Sequence, residues 1–376
     1  MTFKKNDADL AEKANSRTTP LHDLHVALGA KMVDFAGWQM PLQYPAGIMN
    51  EHKQCREQAA LFDVSHMGQL KLNGVNTASN LETLVPSDIK TLPPGKARYT
   101  FFTNESGGIM DDLIITNAGD YFYVVVNASM CEQDINHLHN GLQDIAVNQI
   151  QDHALIALQG PKAIDVLAPL CQEASSLVFM ESMLANVDGT QCRVSRLGYT
   201  GEDGFEISIP KERAVSITQA LLANDACAPA GLGARDSLRL EAGLCLYGSD
   251  INDTTSPIEA SLLWAIQKRR REEGGFPGDQ IIQRQIREGT QRKLVGIKPE
   301  GRAPARHGVV VMDPQGEAIG EVTSGCFGPS AGGPVALAYV ATAHSQPGNP
   351  VHLSIRGKSY PASVVKTPFV TQNYKR

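Results

Sequence analysis

The chain has 376 residues, more than the roughly 250 to 300 that a single hydrophobic core organises, so two or three domains are expected. Hydrophobic residues make up 42% and charged residues 20%, ordinary globular usage that excludes a disordered chain. The net charge of −6 does not suit a nucleic-acid polyanion as main partner, and no apolar run of roughly 18 or more residues is present to span a bilayer.

From Met1 to Arg17 the chain mixes Lys4, Lys5, Lys13 and Arg17 with Asp7, Asp9 and Glu12 and contains no apolar block. Secretory signals need that block and transit peptides avoid acids, so a cytoplasmic protein with a disordered start is expected. Asn50 can cap a helix carrying Cys55, Ala59 and Phe62. From Arg98 the pattern reads strand, turn, strand, turn, strand, helix: Tyr99 to Thr103, the turn 104–108, Ile109 to Thr116, the turn 118–120, Tyr121 to Val126, then a helical stretch containing Leu138 and Ile145. Pro161 suits a first helical position before Ile164, Val166 and Leu167. A related unit follows, with a strand from Cys192 to Leu197, a glycine-rich loop 198–204, a strand from Phe205 to Ile209 and a helix from about Glu212 to Leu222. Strand pairs followed by helices predict α+β layers with antiparallel sheets.

The basic segment Lys268 to Gly275 reads as a solvated linker. Beyond it, strand-like pieces at 294–297, 309–312, 318–323, 335–340, 351–355 and 363–366 are separated by turns such as Asp313-Pro314-Gln315-Gly316, the pattern of a small C-terminal β-barrel. The 7 cysteines are odd in number and form no C-x-x-C pair, which argues for reduced, mostly buried thiols.

Three motifs set charge beside glycine turns and apolar core residues. In Gly107-Gly108-Ile109-Met110-Asp111-Asp112 the two acids alternate on a strand and point to opposite faces, so one is expected in a desolvated pocket. In Gly198-Tyr199-Thr200-Gly201-Glu202-Asp203-Gly204-Phe205-Glu206, Glu206 lies opposite the apolar face of its strand. The glycines before it would let a ligand approach the backbone, and Tyr199 offers an aromatic face. In Gly233-Ala234-Arg235-Asp236-Ser237-Leu238-Arg239-Leu240-Glu241, Arg235 and Arg239 are one helical turn apart. Either is an ordinary surface pair with Asp236 or Glu241, or a guanidinium able to grip a carboxylate by two parallel hydrogen bonds. His22, His25, His137 and His139 lack the companions of a metal site, and Ser65-His66 lacks a nucleophile set.

At these motifs the chain resembles the aminomethyltransferase family, the T-protein of the glycine cleavage system. The likeness runs from about Thr18 to Tyr374 and includes Thr19-Pro20-Leu21, Met32-Val33-Asp34-Phe35-Ala36-Gly37-Trp38, Phe62-Asp63-Val64-Ser65-His66-Met67-Gly68, Leu246-Tyr247-Gly248 and Thr323-Ser324-Gly325. The resemblance implies an α+β, three-domain cloverleaf around a central folate cleft. Residues 1–285 would be the folate-binding region, with two intertwined subdomains, and 286–376 the barrel. It implies transfer of the one-carbon unit of aminomethyl-lipoyl H-protein to tetrahydrofolate, with 5,10-methylenetetrahydrofolate, ammonia and dihydrolipoyl H-protein as products and no metal. It assigns Asp112 as the catalytic acid, and Tyr99, Asn127, Tyr199, Glu206 and Arg235 as folate contacts. Tyr374 matches a substrate contact of some relatives. The runners-up are another folate-dependent demethylase of the superfamily and a folate-binding iron–sulfur assembly factor. The latter branch carries a Lys-Gly-Cys block where this chain has the run from Glu241 to Gly248.

Overall fold

A computed structural model describes residues 16–376. The charged start that the sequence assigns to disorder lies, up to residue 15, outside the described residues.

Among the described residues the strands form a three-stranded sheet, a six-stranded sheet, a five-stranded sheet and a closed barrel. The small sheet pairs Trp38–Gln43 with Lys31–Phe35 and with Arg17–Thr18. The six-stranded sheet runs in the order Glu181–Val187, Thr190–Arg196, Gly204–Pro210, His153–Gln159, Ala59–Asp63, Cys227–Pro229. The five-stranded sheet runs Ala97–Thr103, Ile109–Asn117, Phe122–Val126, Gly68–Gly74, Ile145–Gln149. The barrel closes through Arg292–Pro299, Gly333–Ala341, Ala318–Gly328, Val310–Met312, Pro350–Ile355 and Lys358–Val365. All six barrel strands anticipated from the sequence are present, and the whole is the α+β arrangement of antiparallel sheets, helices and barrel that the chain predicts.

Strand alternation explains where the site comes to lie. Phe205, Ile207 and Ile209 are fully buried in a core shared with Leu61, Ile156 and Val194 and with Ile217 and Leu221 of the helix Lys211–Leu222. Each such side chain contributes about 1.5–3 kcal/mol by leaving water. The other face of that strand looks toward the five-stranded sheet. Ser208 donates to Gln69 Oε1 at 2.6 Å, and Tyr123 donates to the same oxygen at 2.8 Å. Glu206 shares this face, so it is held between two sheets instead of being turned to bulk water.

Three expectations change. The helix Ile48–Glu57 stops before Ala59, and Ala59 and Phe62 belong to a strand buried along its length. A short apolar run with neighbours on both faces cannot be told from a helix by periodicity. Ile145 likewise opens a strand, after the helix Cys131–Gly141 has ended. The segment read as a solvated linker is in fact the helix Lys268–Glu273, docked by its arginines. Arg270 is buried and donates to the carbonyls of Gly274 at 2.6 Å and Glu82 at 2.5 Å. Arg269 reaches Glu82 Oε1 at 2.5 Å and Asp88 Oδ1 at 2.7 Å. Charge runs are usually wet, but guanidinium forks also satisfy buried carbonyls and acids, which composition does not reveal.

The barrel is clasped to the rest. Arg239 Nη2 donates to Ser324 Oγ at 2.9 Å, Thr323 donates to Asp250 Oδ1 at 2.5 Å, and Tyr339 donates to the Asp250 carbonyl at 2.9 Å. The amides of Ser330 and Ala331 both donate to Glu241 Oε1, at 2.8 and 3.0 Å. The six buried cysteines and the half-buried Cys131 are all unpaired thiols.

Candidate functional site

The Gly107-Gly108 turn is glycine for two separate reasons. Gly107 has φ 77°, and a Cβ on Gly108 would fall 1.9 Å from the Asp253 carbonyl oxygen. The strand then starts with a slip in register between Phe102 and Thr103, which leaves Met110 as an extra residue just before the two acids. Such a bulge re-aims the side chains that follow it. Asp111 and Asp112 keep the alternation of the strand, one buried and one half-buried, and Asn127, just past the end of the neighbouring strand, reaches both. Asn127 Nδ2 donates to Asp111 Oδ1 at 2.8 Å and to Asp112 Oδ1 at 2.8 Å, and its backbone N–H donates to Asp111 Oδ2 at 3.2 Å. Asp112 Oδ2 accepts from Tyr99 at 3.0 Å.

The two acids differ in setting. Asp111 is buried, while Asp112 is half-buried, as are Tyr99, Asn127, Tyr199, Glu206, Arg235 and Tyr374. Burial, and after it the charge of Asp111, pushes the Asp112 carboxyl up to about 7, against the bonds from Tyr99 and Asn127. Burial also raises Asp111. No arginine or lysine acts on either acid strongly enough to reverse this.

Facing them is the glycine-rich loop. A Cβ on Gly198 would meet Gln159 Oε1 at 1.9 Å, and one on Gly204 the Leu158 carbonyl at 2.4 Å. These glycines admit the protein's own strand, not a ligand, which changes the reading made from their spacing. Packed in this way, the loop presents Tyr199, whose hydroxyl donates to the Cys245 carbonyl and whose electrostatic neighbours include both Asp112 and Arg235. The Arg235 guanidinium lies over the Tyr199 ring, 4.7 Å from its centre.

The helix Leu232–Glu241 sorts its two arginines. Arg239 is the one that grips carboxylates, with Asp250 at 2.6 Å and Asp236 at 2.9 Å. Arg235 makes no side-chain hydrogen bond or ion pair among the described residues, and neither does Glu206. Burial raises the Glu206 carboxyl, and the Arg235 charge opposes this. Burial lowers Arg235, with Glu206 opposing in turn. Two opposite charges therefore share one field without touching, each with hydrogen-bonding capacity to spare.

Sequence reasoning missed two neighbours. Trp264, in the turn Leu263–Ala265, is 62% exposed and stacks on Tyr99 with ring centres 5.4 Å apart. Its signal was an isolated aromatic between helices, too weak to single out. His66 is buried, edge-on to Phe35, and in the field of Arg235. Burial foremost lowers it to about 4, so it is a neutral ring at neutrality. Tyr374 enters by another contact. It stacks on Phe179 at 4.0 Å, while the adjacent Asn373 bonds Glu202 Oε2 at 3.0 Å.

The α+β frame thus gathers buried acids, a facing carboxylate–guanidinium pair and an aromatic rim, the composition of a candidate binding or active site. Comparison with known proteins makes the class specific. Residues 21–270 match the GCVT N-terminal domain, and residues 292–371 match the glycine cleavage T-protein C-terminal barrel domain. The chain is 47% identical to the mitochondrial aminomethyltransferase of Dictyostelium discoideum, covering 99% of this chain and 97% of that protein. Identity to the mitochondrial aminomethyltransferase of Canis lupus familiaris is 46%, covering 95% and 91%. The crystal structure of glycine cleavage system aminomethyltransferase T from Bartonella henselae matches with a TM-score of 0.90 at 42% identity, covering 96% of this chain and 99% of that one. The chain belongs to the aminomethyltransferase family of glycine cleavage T-proteins, and it is an enzyme of the transferase class.

The cytoplasmic expectation is corrected by the same comparisons, since the relatives from both organisms are named as mitochondrial.

Proposed function

We propose that this chain moves the one-carbon unit of aminomethyl-lipoyl H-protein onto tetrahydrofolate, releasing ammonia, 5,10-methylenetetrahydrofolate and dihydrolipoyl H-protein. The observation that carries the reading is the unmatched pair Glu206 and Arg235, held in one field with Asp112 and Tyr199. A reduced pterin fits these groups. Its ring N–H and exocyclic amine are adjacent donors that a single carboxylate can accept, and Glu206 is a carboxylate without a protein donor. Tyr199 and Trp264 offer flat apolar faces to a ring system. Arg235 offers a fixed fork of donors to an acceptor on the same ligand.

Bound tetrahydrofolate supplies the nitrogens that receive the one-carbon unit. Asp112 is oriented by Tyr99 and Asn127, and its carboxyl titrates near neutrality. In its ionised form it stabilises positive charge developing on the donor and can accept a proton, which in its protonated form it holds beside the reacting nitrogens. Asn127 fixes that carboxyl, and Tyr99 shields it from water. Glu206 and Arg235 bind and orient, and Asp111 is structural. Tyr374 we assign to the donor side, through the tail that Asn373 ties to Glu202. The domain division follows the same reading, with 1–285 forming the folate region and 286–376 the barrel.

The decisive assay combines purified protein, tetrahydrofolate and aminomethylated H-protein and follows ammonia and methylenetetrahydrofolate together. Equimolar formation of both is expected. Ammonia release that ignores folate would overturn the reading.

A further inference from the structure

Asp134 is a buried aspartate that no cation pairs among the described residues. It lies in the first turn of the helix Cys131–Gly141, with its backbone N–H bonded to the Met130 carbonyl at 2.8 Å and its side chain completely buried. Among the described residues, neither carboxyl oxygen has an N–H or O–H donor. Its hydrogen-bond neighbour is another carboxyl, that of Asp111. The groups facing it are all acids or weak acids. Asp111 and Asp112 come from the strand Ile109–Asn117, Tyr247 from the loop after the helix Leu232–Glu241, and Cys131 from its own helix. The cation acting on the start of this helix is Arg17, which is felt at Cys131.

Two carboxyls that meet in a dry site without a cation cannot both ionise, so one proton must lie between them. The donor inventory decides where it rests. Asp111 already accepts two N–H groups from Asn127, which favours its charged form. Asp134 has none. The positive end of its helix favours ionisation by only about 0.3–1 kcal/mol, less than the several kcal/mol of burying an unpaired charge.

We infer that Asp134 is a positioning residue for the transfer reaction: a permanently protonated carboxyl that donates its O–H to Asp111, keeps Asp111 ionised and so clamps the Asn127 amide between Asp111 and Asp112. The chain of contacts is Asp134 to Asp111, Asp111 to Asn127 and Asn127 to Asp112, and only its last member touches reacting atoms. Burial and the charge of Asp111 move the Asp134 carboxyl far above the ordinary aspartate range, in the same sense. Without the donor, Asp111 takes the proton itself. Its charge then no longer raises Asp112, and Asp112 becomes a weaker base.

This inference rests on the proposed role of Asp112, but its test includes a readout that does not. Infrared difference spectra of ligand-free wild type against Asp134→Asn, taken at about pH 8, well above the ordinary aspartate value of about 3.9, should contain the carbonyl band of one protonated carboxylic acid, lost in the variant. A wild-type protein without that band, or a variant that retains it, overturns the inference whatever Asp112 does. The second arm is the pH profile of kcat. Asp134→Asn keeps an N–H donor and should leave the acid limb where wild type has it, whereas Asp134→Val removes the donor and should move the limb down by about one pH unit. A limb unmoved in a folded Val variant also overturns the inference, and if that variant does not fold the infrared arm decides alone.

Discussion

Two buried charge networks in this molecule are built on opposite terms. One joins His52, Arg56, Glu202 and Glu241. Glu241 Oε2 meets His52 at 3.0 Å and Arg56 at 3.2 Å, its Oε1 accepts two backbone amides, and Glu202 meets Arg56 at 2.9 Å. The other joins Asp111, Asp112 and Asp134 and has no cation among the described residues. Burial acts on both. In the first, the partners outweigh it and hold Glu241 below its ordinary range. In the second nothing does, and all three carboxyls are raised. A matched network builds frame, and an unmatched one stores the capacity to move protons and stabilise passing charge.

The comparison breaks most sharply under substitution. Asp112→Asn should lower kcat by about a thousandfold while its melting temperature stays within a few degrees of wild type, which steady-state kinetics and calorimetry together would check. Equal turnover would remove Asp112 from the chemistry. Arg56→Met should do the reverse. It strands Glu202 and Glu241, costs about 3–5 kcal/mol in urea unfolding, and leaves kcat per folded molecule close to wild type.

Glu206→Ala gives an intermediate effect. Losing one charge-assisted contact of about 2 kcal/mol weakens folate binding by about thirtyfold, read by fluorescence titration, with a smaller loss in kcat at saturating folate.

The smallest effect is in the pH dependence of stability, and it has opposite signs in the two networks. Glu241 has a lowered folded pKa, so its contribution is present above the unfolded value of about 4.3 and fades as pH falls. Asp112 is raised to about 7, so its contribution is complete below the unfolded value of about 3.9 and is lost as pH rises through 7. Relative to wild type, Asp112→Asn should therefore gain stability between about pH 4 and 7. Thermal melts across that window would check it, and a constant difference would mean that Asp112 titrates normally.

Much of the frame was legible in the chain. The barrel strands stand out because alternation and turns repeat at short intervals, and Phe205, Ile207 and Ile209 declare the face that Glu206 avoids. What failed to show is what depends on distant partners. Asn127, just past the end of its strand, reaches both acids, and strand alternation cannot foresee it. Preference for Asp112 over Asp111 came from family resemblance and not from the pattern. Arg270 looks like surface and is core, because its partners Glu82 and Val85 are remote in sequence. Glycines at 198 and 204 suggested ligand access, yet they serve the packing of Gln159 and Leu158.

The clasp between barrel and helix means that the last lobe is no passenger. Ser324 and Thr323 hold Arg239 and Asp250, and Arg239 lies one turn from Arg235 on the same helix. Heat that loosens the barrel therefore reaches the Arg235 guanidinium through a single rigid rod. The protein should melt as one cooperative body, so its architectural lobes are not units that could be traded between enzymes.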